Sequence, residues 1–576
     1  MRINHTASLR QSRSSHRFAQ AISSRRFRTR FLLVILALAA ALTAVWGGRP
    51  GEWRNGRVLA AAQTDFVVAL AANNQLLQFS ASAPNAIISA TTVKGLNAGD
   101  SLVGIDYRPA TGQLYALAVT GASGRLYTIN PLTGAANAVG AGFTLPQSTG
   151  ASAGKDYGFD FNPTVDRIRV VADSRDNFRA HPDTGAAVSP ADLALSPGAA
   201  VTGVAYDRNF AGSKVTTLYA IDPNADQLVT IGGIDSAPSP NGGVVRPVGP
   251  LGVNAANDVG FDITVGAEGS AYASLTVNGK PGFYTIDLKT GAATMVGIIG
   301  NGGVAIKDIA AAPAGAPLPT SLAYVIWAVD ASNKLLSFRA GETDKISSPK
   351  AVTGLQAGDK LVGIDYRPAN GQLYALAANG ASGRLYTINP LTGAANAVGA
   401  GFTMPQSAGA SAGKDYGFDF NPTVDRIRVV ADSRDNFRAH PDTGAAVSPA
   451  DFALSDGAVV TGVAYDRNFA GSKVTTLYAI DPNTDQLVTI GGIDSAPSPN
   501  GGVVRKVGPL GVNASNEVGF DISVGPEGVA FALLTVNNQP GLYSIYLPSG
   551  LATLVRTLTV KTPIVDIAVA PVGATQ

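Results

Sequence analysis

The sequence contains no cysteine, and among its 576 residues only three methionines, three tryptophans and four histidines. The missing cysteine excludes a disulfide framework, a thiolate nucleophile, an iron–sulfur cluster and a cysteine-ligated zinc site. His5 and His16 fall near the start of the chain, leaving His181 and His440 for the rest. Those two belong to different copies of a duplication, so a two-histidine metal centre cannot form within one copy. A serine–histidine–aspartate triad would have to use His181, and no residue is assigned to catalysis. Glycine-rich phosphate-binding motifs at a strand–helix switch are also missing, which leaves a nucleotide-dependent enzyme unsupported.

Basic charge is scarce outside the N-terminus. Residues 1–62 hold eleven of the 43 Lys and Arg but one of the 41 Asp and Glu, Glu52. The remaining chain therefore carries eight more acids than bases, although the whole has a formal charge of +2. A mildly acidic body lacks the electrostatic footprint of a nucleic-acid binder, so no nucleic-acid partner is expected.

The N-terminal 62 residues read as a basic leader for export. Eight arginines lie within residues 1–30, followed by the apolar run from Phe31 to Trp46. Sixteen helical residues would span about 24 Å, short of the roughly 30 Å hydrocarbon core. That length suits a signal peptide better than a membrane span. Arg25-Arg26 faintly matches a twin-arginine signal, and Ala60-Ala61-Ala62 is a cleavage candidate. The expectation is a secreted or cell-surface, extracytoplasmic protein with an unknown extracytoplasmic ligand or protein as partner. It touches the membrane only through this segment, if the segment stays uncleaved.

The body is one unit written twice. Leu102–Ile263 returns as Leu361–Ile522 at a constant offset of 259, with about a dozen differences. The divisions expected are a leader at 1–62, a first unit at 63–312, a Pro/Ala-rich linker at 313–321 and a second unit at 322–576.

A shorter period runs inside each unit. Its opening phrase is Gly104-Ile105-Asp106-Tyr107, then Gly158-Phe159-Asp160-Phe161, Gly203-Val204-Ala205-Tyr206, Gly260-Phe261-Asp262-Ile263 and a frayed Ile306-Lys307-Asp308-Ile309. Alternating segments such as GQLYALA, DRIRVVA and TTLYAID follow, with strand periodicity. Turns such as NPLTG and HPDTG place Pro three residues before Gly, a hairpin signal. Four strands about every 45–55 residues is the pattern of a propeller blade. The fold expected is all-β: two tandem β-propellers of about five four-stranded blades each, preceded by the export helix. Each unit starts with strands that lack an opening phrase and ends with a phrase that lacks its blade, so its two ends should share one closing sheet. A single ten-bladed ring, or six or seven blades per unit, are the alternatives.

The phrases LVGIDYRP (102–109), QLYAL (113–117), YGFDFNP (157–163) and Ala205-Tyr206 resemble a bacterial exported family catalogued as domain of unknown function 4394. The resemblance covers the body once per unit. It implies an exported, propeller-like protein and supplies no activity or catalytic residues. Ala205 and Ala464 break the sub-repeat where the other phrases have Asp.

Two side-chain sets are candidate sites. Asp106, Asp160, Asp262 and Asp308, with Asp365, Asp419, Asp521 and Asp566, recur at one position of the innermost strands. Carboxylates lining a channel could hold a hard cation such as calcium. The plainer alternative is that each accepts backbone N–H groups and fixes blade packing. The second set is Arg167, Arg169, Arg175, Arg179 and His181, repeated as Arg426, Arg428, Arg434, Arg438 and His440. Clustered guanidinium groups suit capture of a carboxylate, phosphate or acidic sugar. Alternatively, Asp166, Asp173, Asp176 and Asp183 neutralise them in a structural network. Asp222-x-Asn224-x-Asp226 resembles the start of a calcium loop but reads better as a hairpin turn, because the later glycine and acid are missing. The function expected is a non-catalytic binding module with no cofactor, calcium being the one possible exception. The alternative is a metal-assisted hydrolase or lactonase with a carboxylate-bound ion in each channel.

Overall fold

The computed structural model describes residues 65–147, 154–266, 269–313, 316, 323–342, 345–406, 413–525 and 528–571. The leader and most of the linker lie outside the described residues. Among the described residues no α-helix forms, and no helix is long and apolar enough to cross a membrane. The chain builds ten antiparallel sheets, five from each half.

The opening phrases are the innermost strands. In the first half these are Ser101–Tyr107, Tyr157–Asn162, Gly203–Tyr206, Val259–Ile263 and Ile306–Ala311. Each lies against the innermost strand of the next sheet, and the fifth lies against the first, giving a propeller-like arrangement. The closing sheet takes its inner strand from the end of the half and its other three from the beginning. Ile306–Ala311 pairs with Phe66–Ala71, Leu70 facing Asp308. The second half repeats this with Ile564–Val569 on Val325–Asp330, Val329 facing Asp566. The expected sharing of one sheet by the two ends of each half is therefore observed.

Local chemistry explains the hairpins. In the NPLTG turn Asn130 Oδ1 accepts bonds from the Leu132 and Thr133 N–H groups, and Gly134 adopts φ +73° and donates to the Asn130 carbonyl. Apolar side chains fill the space between neighbouring sheets. Leu117 and Leu126 of one sheet meet Phe159, Phe161, Val170 and Phe178 of the next.

Glycine in the opening phrase serves close approach. A Cβ on Gly104 would lie 2.5 Å from Phe159 Cβ, one inner strand away. Gly104→Ala is accordingly expected to destabilise the protein by about 1–3 kcal/mol. Gly242→Ala, whose added methyl would meet open space, should stay within about 0.5 kcal/mol. Thermal unfolding of the two variants measures the difference.

One expectation needs correction. The third sheet in chain order has three strands, Tyr157–Asn162, Arg167–Ala172 and Asn177–Ala180, as does its counterpart Tyr416–Ala439. The fourth-strand position is taken by an irregular segment containing Pro190 and Pro197. That segment forms one bridge, Ala180 to Ala187, and then bonds outward: Leu193 N–H to the Asn241 carbonyl and Leu195 N–H to the Arg175 carbonyl. A proline cannot donate to a ladder, and the Leu193, Leu195 and Ser196 N–H groups are used away from it.

Candidate functional site

The repeated aspartates converge at the ring centre and are fully buried. Each reaches across to the next inner strand. Asp106 accepts from Phe161 N–H at 2.8 Å, Asp160 from Tyr206 at 3.0 Å, Asp262 from Ala311 at 2.6 Å and Asp308 from Ile105 at 2.9 Å. Asp365, Asp419, Asp521 and Asp566 repeat the pattern on Phe420, Tyr465, Val569 and Ile364. At Asp106, Asp160, Asp262 and their counterparts a glycine two residues earlier lets the strands approach this closely, whereas Asp308 and Asp566 follow Ile306 and Ile564. Ala205 and Ala464 interrupt the circuit, and there the Asn209 and Asn468 amides donate to the Ile263 and Ile522 carbonyls instead.

Asp106, Asp262 and Asp308 use their second oxygen on the following residue of their own strand. Asp160 does not. Its Oδ2, like that of Asp419, is buried without a hydrogen-bond partner. One carboxylate oxygen each of Asp106, Asp160 and Asp262 lies within 4.8 Å of the others, and Asp365, Asp419 and Asp521 form the same group. Asp308 and Asp566 stand outside these triads. Burial is the main reason these carboxyls hold protons more tightly than free aspartate, with mutual repulsion adding at Asp106 and Asp160. Asp262 and Asp521 are pushed up to about 7 by burial. Such a triad could share protons or enclose a small cation.

The arginine set divides by depth. Arg169 is wholly buried and donates to Asn177 Oδ1 at 2.7 Å, Asp192 Oδ2 at 2.5 Å and Asn241 Oδ1 at 2.6 Å. Arg179 forms a two-pronged pair with the same Asp192 at 2.8 and 2.9 Å. Arg428 and Arg438 do likewise with Asp451. Arg175 and Arg434 donate to the Leu195 and Leu454 carbonyls. Arg167 and Arg426 donate to backbone carbonyls of the preceding turn. His181 and His440 are partly exposed, and each Nδ1 accepts the N–H of Asp183 or Asp442.

Of the neutralising acids that the sequence indicates, Asp183 and Asp442 do face His181 with Arg167 and His440 with Arg426, but the buried arginines take another partner. Asp166 and Asp183 hold Arg108, Asp173 caps the Lys155 N–H, and Asp176 accepts from the Ser174 hydroxyl. Asp192, which carries the buried pair, sits in the segment that replaces the fourth strand. Asp222 behaves as a hairpin residue, accepting the N–H groups of Asn224 and Ala225. A Gly-x-Ser-x-Gly match also occurs at Gly150–Gly154 and again at Gly409–Gly413; all but its last glycine lie outside the described residues, and a strand, Tyr157–Asn162, follows it where an elbow requires a helix.

The loops that leave three inner strands enclose an open cavity of about 440 Å³. It is lined by Pro109 and Ala110, by Pro163 to Asp166 and by Ala211 to Lys214. The same residues recur at 368–369, 422–425 and 470–473. Val165 and Val424, each 55% exposed, present apolar surface there.

The family model described as "Domain of unknown function (DUF4394)" matches residues 75–310 and again 334–568, so the chain belongs to that family in two copies. No curated protein matches the chain. Among solved structures, the extracellular domain of a hybrid two-component system from B. thetaiotaomicron is 10% identical. That match covers 91% of this chain and 75% of that one at a TM-score of 0.25. Dihydro-heme d1 dehydrogenase NirN, in complex with DHE, is 10% identical over 77% of this chain and 74% of its own, TM-score 0.21. A protein from Lactobacillus plantarum is 12% identical over 62% and 96%, TM-score 0.25. Likenesses of this degree do not bear on function.

Proposed function

We propose that this two-copy family member is an exported, non-catalytic binding module: two five-bladed β-propellers that offer one ligand site twice. The observation that carries the reading is the cavity formed by Pro109, Pro163–Asp166 and Ala211–Lys214, whose lining residues all recur at the 259-residue offset. Arg167 borders it, since its guanidinium reaches back to the Val165 and Asp166 carbonyls. The ligand class is an acidic group, a carboxylate, phosphate or acidic sugar, met by Arg167 and His181 and by Arg426 and His440. Arg169, Arg175, Arg179 and their counterparts act behind these as supports. Two equivalent sites on one chain would favour a ligand that is itself repetitive, through effective concentration. The partner is extracytoplasmic and is not nucleic acid.

Calorimetric titration of the full chain with galacturonate oligosaccharides and with inorganic phosphate tests this. Two equivalents should bind one of these probes, falling to one in Arg167→Ala and to none when Arg426→Ala is added. Unchanged stoichiometry in those variants, or no binding of either probe, overturns the reading.

The aspartate triads favour a second reading, a metal-assisted hydrolase with calcium in each channel, because Asp160 Oδ2 and Asp419 Oδ2 have no other partner. It requires two equivalents of metal in the purified protein, lost in Asp160→Asn with Asp419→Asn.

A further inference from the structure

The two halves differ at one end of the ring, opposite the loops just described. In the first half Lys307 enters from the start of the closing inner strand. Its Nζ lies 2.8 Å from Asp258 Oδ1 and 3.4 Å from Asp156 Oδ1. Asp156 precedes the inner strand Tyr157–Asn162 and Asp258 precedes Val259–Ile263, so the ammonium ties three inner strands together. The cavity left there is about 10 Å³, room for one water.

The second half has the acids without the base. Asp415 stands for Asp156, Glu517 for Asp258 and Val565 for Lys307, the last fixed by the equivalent pairings of Asp308 and Asp566. Among the described residues neither Asp415 nor Glu517 forms an ion pair. Burial raises the Asp415 pKa, Asp432 and Glu517 raise it further by repulsion, and Lys414 offsets this only in part. The cavity widens to about 140 Å³, walled on its apolar side by Ala331, Val518, Ile564 and Val565. The first half thus shows what these two acids are built to hold, because there their counterparts hold a primary ammonium on an aliphatic stem.

We infer that the mouth of the second ring binds an alkylammonium group, with Asp415 and Glu517 taking its N–H donors and the apolar wall taking its methylenes. This site is independent of the loop cavity and of the acidic ligand proposed above. An ammonium fits better than a hard divalent cation, which asks for six to eight oxygens where two carboxylates are on offer. The group could belong to a free small amine or to a lysine side chain of a peptide; the chemistry is shared.

Calorimetric titration of the full chain with n-butylammonium chloride, with Nα-acetyl-lysine amide and with calcium chloride separates the cases. One equivalent of n-butylammonium should bind. Comparable binding of the lysine amide identifies a peptide source, and its exclusion identifies a free amine. Val565→Lys, which rebuilds the first-half arrangement, should abolish amine binding and raise the melting temperature. Lys307→Val should open a second equivalent in the first ring. Glu517→Gln alters an exposed side chain and should weaken binding by about tenfold or more without affecting folding. Failure of both amines to bind, binding that survives Val565→Lys and Glu517→Gln, or binding of calcium alone would each overturn the inference.

Discussion

Replacing Asp192 with alanine is expected to cost about 3–5 kcal/mol, because it strips the buried Arg169 guanidinium of its counter-charge. The pair is almost inaccessible, with side-chain exposures of 2% and 5%. Asn177, Asn241 and Tyr206 would still accept bonds from Arg169, but none of them carries a negative charge. Arg179 would lose its two-pronged partner as well; being 27% exposed it can turn to water. The double variant Arg169→Met with Asp192→Leu removes both charges together and should lose much less than the single change. Urea denaturation of the three proteins measures the contrast. Equal losses in Asp192→Ala and the double variant would show that packing, and not the unpaired charge, sets the cost.

Stability is also expected to fall as the pH rises from about 4 to about 7, the reverse of ordinary acid denaturation. The buried aspartates titrate higher in the fold than in the unfolded chain, where an aspartate sits near 3.9. Between those values the native state holds protons that the unfolded state has released. The stabilisation is therefore complete below the unfolded value and is lost as pH climbs through the folded one. For Asp262 and Asp521 the upper limit of the window is about 7, and burial also raises Asp106, Asp160, Asp365 and Asp419 well above the free value. Each carboxyl that keeps its proton contributes a slope of about 1.4 kcal/mol per pH unit. Asp160→Asn should flatten this dependence and leave the fold intact, since Oδ1 alone serves Tyr206 and an amide can occupy the partnerless position. Asp106→Asn should instead cost about 1–3 kcal/mol, because both oxygens of Asp106 accept backbone N–H groups and an amide nitrogen cannot. Melting temperatures from pH 4 to 8 decide it, and a rise across that window would contradict the assignment.

What the sequence revealed and concealed follows from the range of the forces involved. The inner strands were legible because their phrase couples two local requirements, a glycine for close approach and an aspartate two residues later. Closure was legible because an unmatched phrase ended each half. The missing fourth strand was not, because HPDTG announces a hairpin in the same way that NPLTG does. The segment that replaces it carries prolines and bonds away from the ladder, and its Asp192 meets Arg169, 23 residues away. Likewise the arginines announced a cationic face, but the choice of Asp192 over the nearer Asp173 and Asp176 is made by tertiary distance. Lys307 reads as fraying of the fifth phrase, because the two acids that hold its ammonium precede other inner strands far away in the chain.

Because each half enters and leaves through the same sheet, the backbone finishes a ring beside the place where it started. A further copy can be spliced on at that point without breaking any strand pairing already made. Such geometry makes duplication of the gene segment structurally cheap. Each copy is then free to differ at the mouth of its ring, as Lys307 and Val565 do, while the framework of the wheel stays the same.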